Sequence, residues 1–163
     1  MKVLFLDIDG VLNNHKINPE SGCCGIDRRP MKQLNRILIR TECCLVISSA
    51  WRYMIHNEAM TVTGFFHMLR ILGMRGDHNP ILDIIEKDDL QDTSTGQRAK
   101  QIQKFLQRKN TFIDQYCIVD DCDFGFTENK LNFVKTNPKT GLIWVEAKKI
   151  IGVLNNATSS IKC

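Results

Sequence analysis

The chain has 163 residues, 43% hydrophobic and 25% charged, with 22 Lys and Arg against 18 Asp and Glu. That length suits one domain with a sizeable core, and the net charge of +4 permits an anionic substrate without demanding nucleic acid. No apolar run reaches the roughly 18–20 residues of a membrane span, and the short N-terminal run, interrupted by Asp7 and Asp9, is no signal peptide.

In chain order, residues 3–7 predict a short strand, apolar on both faces and therefore buried. Residues 14–29, NHKINPESGCCGIDRR, are rich in Pro, Gly and polar side chains and predict a loop. A helix is predicted over 30–41, with Pro30 in its first turn and Met31, Leu34, Ile37 and Leu38 at helical spacing. CLVISS, 44–49, predicts a second buried strand that ends in two hydroxyls. Residues 58–72 predict a helix with Phe65, Phe66, Leu69 and Leu72 on one side and Gly73 at its end. Residues 74–95 are polar and turn-rich. Their EKDDLQD run reads as a solvated loop rather than a metal site.

Residues 96–108 predict a helix with Ile102, Phe105 and Leu106 as its stripe. YCIV, 116–119, predicts a third buried strand, again running into carboxylates, and NFVKT, 132–136, a fourth. Residues 144–154 predict a closing helix with Val145, Ile150, Ile151 and Leu154 apolar. One domain over 1–154 and a frayed tail over 155–163 follow. The tail's sequon, Asn156-Ala-Thr158, is read as chance. Seven cysteines (Cys23, Cys24, Cys43, Cys44, Cys117, Cys122, Cys163) form no C-x-x-C spacing. This argues against zinc and for free thiols in a reducing compartment, so the expected setting is cytoplasmic, with a non-classical secretion route left open.

Short buried strands alternating with helices imply an α/β fold, a mostly parallel sheet covered on both faces, with ligands beyond the carboxyl ends of the strands. Three strands end in reactive groups there: Asp7 and Asp9, Ser48 and Ser49, Asp120 and Asp121. If the strands are neighbours, four carboxylates share one patch. Like charges that close must protonate or take a cation, and an all-oxygen cluster suits magnesium, which prefers to share its site with phosphate. A carboxylate also attacks phosphorus, and a second one then protonates the leaving oxygen and activates water. Gly10 lets the chain turn sharply and approach a ligand closely.

FLDIDGVLN, VISSAWR, RAKQIQKFL, IVDD and KTNPKTGL, in that order, resemble the motifs of the haloacid dehalogenase-like phosphohydrolases. They are most similar to the small domains related to the phosphatase modules of RNA-repair proteins. The resemblance spans residues 2–154 and implies a Rossmann-like three-layer sandwich with little or no cap. It implies Asp7 as nucleophile and Asp9 as general acid/base, the Asp9 backbone carbonyl facing magnesium. Ser48 would hydrogen-bond the transferring phosphoryl group. Asp121 would be the direct metal ligand, with Asp120 beside it. Arg98 would supply the cation of the third motif, with Lys100 the alternative. The loop DDCDFGF is shorter than the subgroup usually carries, so Asp123 reads as a loop cap or outer residue and Cys122 as a small filler.

Taken alone, Ser48-Ser49 fits a helix cap as well as a phosphate ligand, and Arg52 fits either a substrate contact or a surface ion pair. Trp51 reads as core packing before a stacking surface. The four histidines show no metal or triad spacing. Neither gap that hosts caps in the wider family, 13–30 or 53–97, has material for a core of its own. An open site favours phosphate on a large molecule: a polynucleotide 3′ phosphate, or a phosphotyrosine or phosphoserine/threonine protein. Arg28, Arg29, Lys32, Arg36 and Arg40 form either a basic track or a solvated helix face. A phosphate-receiving signalling domain without turnover is the alternative from another class, and Asp9 argues for turnover. A degenerate member that only binds is disfavoured by the intact acids. The absence of G-x-x-x-x-G-K-[ST] excludes a P-loop kinase, and that of G-x-G-x-x-G a dinucleotide fold.

Overall fold

A computed structural model describes residues 1–14, 25–76, 78–85, 97–109 and 112–156. Its strands are β1 (Lys2–Leu6), β2 (Cys44–Ile47), β3 (Ile81–Ile84), β4 (Gln115–Asp120) and β5 (Phe133–Lys135). They pair in parallel in the order β3-β2-β1-β4-β5. The chain builds outward from β1 on one side, then crosses to β4 and builds outward on the other. That reversal opens a crevice at the carboxyl ends of β1 and β4, where ligands of such sheets bind.

Alternation along the strands divides the interior. Leu4, Leu6, Leu45, Ile47, Cys117 and Val119 face helices α1 (Arg28–Thr41), α3 (Val62–Ile71) and α5 (Trp144–Asn155). Val3, Phe5, Val46 and Ile118 face α4 (Gln97–Lys109), which supplies Ala99, Ile102 and Phe105. The result is the three-layer α/β sandwich. The rings of Phe5 and Phe105 meet edge to face at 5.5 Å across the second interface. No helix among the described residues is long and apolar enough to cross a membrane.

The expected elements are present with shifted ends, and two more are not evident from the sequence. α1 begins two residues before Pro30, which sits in its first turn, and Glu42 ends it in a left-handed conformation. α3 starts at Val62 rather than 58, because Thr61 caps it by accepting from Gly64 N at 2.9 Å. The short helix α2 (Arg52–His56) precedes it. The edge strand β3 lies inside the tract expected to be loop. It is four residues long and carries Asp83 and an exposed Leu82, so neither length nor alternation betrays it. α5 buries Ala147, Ile150 and Leu154, while Val145 is exposed. The helix continues through Asn155, which accepts from Lys2 Nζ at 2.7 Å. EKDDLQD, Cys23, Cys24, Thr158 of the sequon, Cys163 and most of the 14–29 loop lie outside the described residues. The other four cysteines are free thiols; burial pushes Cys43 up to about 11 and Cys117 up to about 12, so both pack as inert small groups near neutral pH.

The segment after β5 ties down the loop after β1. Thr136 Oγ1 donates to Gly10 O at 2.8 Å, and Leu142 N donates to Val11 O at 2.7 Å. Gly141 holds φ +63°, and a Cβ there would stand 2.8 Å from Val11 O and 2.9 Å from Pro30 Cγ. Gly141→Ala is therefore expected to cost roughly 1–3 kcal/mol in chemical denaturation. Gly152→Ala, in α5 with nothing within 4 Å of the added methyl, is expected to stabilise by about 0.5–1 kcal/mol. Equal effects of the two substitutions would contradict this account of the loop.

Candidate active site

The buried alternation that sends Val3 and Phe5 toward α4 also sends Asp7 there. Asp7 N continues the ladder by donating to Val119 O at 3.1 Å, and on β4 Asp120 follows Ile118 with the same facing. The two acids therefore meet over the first turn of α4, which carries Arg98. Arg98 Nη1 donates to Asp120 Oδ2 at 2.5 Å and to Asp7 Oδ1 at 3.4 Å, and its guanidinium lies 4.1 Å from the Phe124 ring centroid. Lys100, two residues along the same helix, is exposed.

Asp7 is 4% exposed and Asp120 fully buried. Burial first, then the charge of Asp120, pushes Asp7 up from 3.8 to about 7, against the pull of Arg98 and a hydrogen bond from the Ser49 hydroxyl. Burial likewise raises Asp120, again against Arg98. Asp121 adds a third acid at the mouth. The backbone makes room for it at Gly10, whose φ is +70° and where a Cβ would stand 2.5 Å from Asp121 Cγ. Three carboxylates thus answer to one guanidinium.

Both Asp120 oxygens are already engaged, Oδ2 by Arg98 and Oδ1 by Cys122 N at 2.9 Å. Ligand atoms of Asp120, Asp121 and Cys122 lie within 4.8 Å of one another. The excess negative charge and the oxygen donors of Asp7 and Asp121 fit a hard divalent cation better than a soft one, with the exposed Cys122 at the margin.

Asp9 is half-buried and held at both oxygens. Asn13 Nδ2 donates to Oδ1 at 2.8 Å and Trp51 Nε1 to Oδ2 at 3.0 Å. Asn13 is itself fixed, its Oδ1 accepting from Gly10 N at 2.9 Å. Trp51 packs edge to face on Phe65. The core role expected of Trp51 is thus present, with a polar handle that its sequence context does not reveal. Asn13 is a site residue that sequence reasoning misses; its place four residues after Asp9 is the one available signal. Phe124 and Thr136 escape it too, since each works through a long-range contact that spacing cannot encode.

At the tip of β2 the two hydroxyls divide. Ser48 N donates to Leu6 O at 3.0 Å, and Ser48 Oγ is fully buried with no hydrogen-bond partner. The hydroxyl bonded to Asp7 is that of Ser49, which also accepts from Trp51 N at 3.3 Å. Arg52 is buried and turned inward: its Nη1 donates to the carbonyls of Ser48 and Ser49 at 2.9 and 3.0 Å, and its guanidinium lies over Tyr53. Through these contacts it fastens the serine turn. Asp123 caps the following turn by accepting from Thr127 N at 3.2 Å.

A family model, the HAD domain in Swiss Army Knife RNA repair proteins, matches residues 3–147. No curated protein and no solved structure matches the chain.

The raised Asp7 has a consequence for stability. Its carboxyl is neutral in the fold where it would be ionised in the unfolded chain, so folding loses free energy as pH climbs from about 4 and the full penalty stands above about 7. Asp7→Asn removes that penalty. In EDTA the variant is expected to match wild type near pH 4 and to exceed it by a few kcal/mol, as an order of magnitude, above pH 7. Millimolar magnesium is expected to narrow the gap by stabilising wild type. A pH-independent difference between the two proteins in thermal denaturation would contradict this.

Proposed function

Because the chain belongs to the family of HAD domains found in Swiss Army Knife RNA repair proteins, we propose that it is a magnesium-dependent phosphomonoesterase that works through an aspartyl-phosphate. Membership gives the class, a phosphatase-type hydrolase of RNA repair; the mechanism and substrate are read from the residues. The observation that carries the reading is the juxtaposition of Asp7, Asp120 and Arg98 at the shared tip of β1 and β4, with Asp121 against Gly10 beside them. Asp7, the Asp9 backbone carbonyl and Asp121 would hold magnesium, with Asp120 fixed beside them by Arg98. When bound, the ion neutralises the surplus carboxylate charge and that of the phosphate.

In the first step an ionised Asp7 oxygen attacks phosphorus, the bond to the leaving oxygen breaks, and protonated Asp9 gives that oxygen its proton. In the second, Asp9 takes a proton from water. The water oxygen attacks phosphorus, the bond to Asp7 breaks, and inorganic phosphate leaves with Asp7 restored. Arg98 keeps Asp7 in line and balances part of its charge. The unpartnered Ser48 hydroxyl supports a donor role toward a phosphoryl oxygen, since an unmade buried hydrogen bond costs roughly 1–3 kcal/mol. Trp51 and Asn13 act as positioning residues, aiming Asp9 from both sides. The substrate is a macromolecule, a polynucleotide bearing a 3′ phosphate, rather than a phosphotyrosine or phosphoserine/threonine protein. The free cysteines among the described residues support the cytoplasm as the setting.

Hydrolysis of a generic aryl phosphate is expected to require magnesium and to stop with EDTA. Asp7→Asn is expected to abolish it in a folded protein, and Asp9→Asn to slow it by roughly 10²–10⁴-fold. A wild-type rate in either variant at saturating magnesium would refute the assignment. Trp51→Phe keeps the ring and loses the donor to Asp9. It is expected to lower kcat by about tenfold or more with KM and melting temperature nearly unchanged; an effect on KM alone would make Trp51 a binding residue instead. A side-by-side screen of a 3′-phosphorylated oligonucleotide, a phosphotyrosine peptide, a phosphoserine peptide and sugar phosphates ranks the substrate classes, and preference for either peptide would overturn the polynucleotide reading.

A further inference from the structure

Outside the strand tips, α1 carries a row of basic residues along one side. A groove of about 820 Å³ runs between α1 and the chain just beyond α3. Its walls include Arg28, Lys32, Arg36, Arg40 and Arg75, and no acidic residue among the described residues lines it. The first four recur every fourth residue, so they climb the helix in steps of about 6 Å and cover about 18 Å. Like charges at this spacing repel one another on an isolated helix, a cost that a bound polyanion offsets; within the fold Arg36 is also held by Gln33 and by the Trp144 ring.

We propose that this groove is the docking track for the body of a single-stranded polynucleotide whose phosphorylated end lies at Asp7; it rests on the phosphomonoesterase reading for the position of that end. Three observations choose this occupant. The cations repeat along a line, as the phosphates of a strand do, rather than converging on a point as they would for one anion. The line starts beside the loop that follows β1 and leads on from Asp9: Arg28 follows Asp27, whose N–H donates at 2.8 Å to the carbonyl of Leu12, three residues beyond Asp9. Its edge also offers stacking planes. The Arg36 guanidinium lies 4.4 Å from the centroid of the Trp144 ring, which is 47% exposed, and bases stack on both kinds of surface. The exposed side chains of Ile39 and Ile71 add apolar surface for sugars and base edges. An acidic helical peptide would use the same charges and the two isoleucines but not the Arg36–Trp144 pair.

The test is fluorescence anisotropy with a labelled single-stranded oligoribonucleotide that ends in a 3′ hydroxyl. It carries no monoester, so its binding does not depend on turnover. Lys32→Glu/Arg40→Glu and, separately, Arg75→Glu are expected to weaken binding at least tenfold. Each phosphate that goes unneutralised is also expected to flatten the plot of log affinity against log salt by about 0.7 in slope. Trp144→Ala is expected to weaken binding about fivefold or more. Aryl phosphate hydrolysis should stay unchanged in all of these. Lys109→Glu/Lys130→Glu, the same charge change on the α4 side, is expected to matter little. Equal losses from that control pair, unaltered binding in the groove variants, or competition by polyglutamate at the oligonucleotide's own concentration would overturn the track. If wild type hydrolyses a 3′-phosphorylated oligonucleotide while the groove variants bind normally, the track fails and the phosphatase reading stands. If the groove variants lose binding and no substrate is hydrolysed, the reverse holds.

Discussion

Three carboxylates and one guanidinium at the tip of two neighbouring strands set the terms for this molecule. Asp7 and Asp120 are buried because they end the two central strands, and Arg98 reaches both from the first turn of the helix above. One positive charge does not neutralise Asp7, Asp120 and Asp121. Burial first, and then this surplus of negative charge, pushes the Asp7 carboxyl up to about 7. Such clusters gather at binding and catalytic sites, and the function proposed above gives this one a divalent ion and a phosphate ester to hold.

Much of the surrounding structure serves to hold this arrangement still. Gly10 bends the chain where Asp121 must pass, Thr136 fixes the Gly10 carbonyl, and Leu142 and Gly141 brace Val11. Asn13 and Trp51 grip Asp9 while Arg52 fastens the serine turn that faces Asp7. The acids at the centre come from the ends of β1 and β4, and their supports come from separate stretches of chain. Such preorganisation matters because catalysis depends on groups already in place when charge moves.

The central strands and most helices are legible in the sequence because their signals are local. β1, β2 and β4 are apolar runs that break into acids or hydroxyls, and α1 and α4 have clean helical periodicity. β3 is hidden because a four-residue edge strand with an internal acid looks like loop. At the site, the gathering of acids is legible because three apolar strands each run into reactive groups, whereas the part assigned to each acid and the choice of Arg98 over Lys100 come from a resemblance in motif order; Arg98 lies within hydrogen-bonding reach of both Asp7 and Asp120. The resemblance points to Ser48 as the hydroxyl for phosphate. The hydroxyl that touches Asp7 is that of Ser49, and Ser48 is the buried one without a partner. Period-two alternation cannot distinguish them because the strand ends at Ile47, the partner of Leu6, just before this pair. The roles of Trp51, Asn13 and Phe124 stay hidden because a donor's target, unlike its burial, is set by the tertiary fold.

The central claim is that Asp7 carries the phosphoryl group between substrate and water. Rapid acid quenching of the wild-type protein with magnesium and an aryl phosphate radiolabelled in its phosphoryl group, followed by peptide mapping, tests it directly. The account predicts a hydroxylamine-labile label confined to the peptide that contains Asp7. Turnover with no labelled protein, or a label on any other side chain, would contradict it.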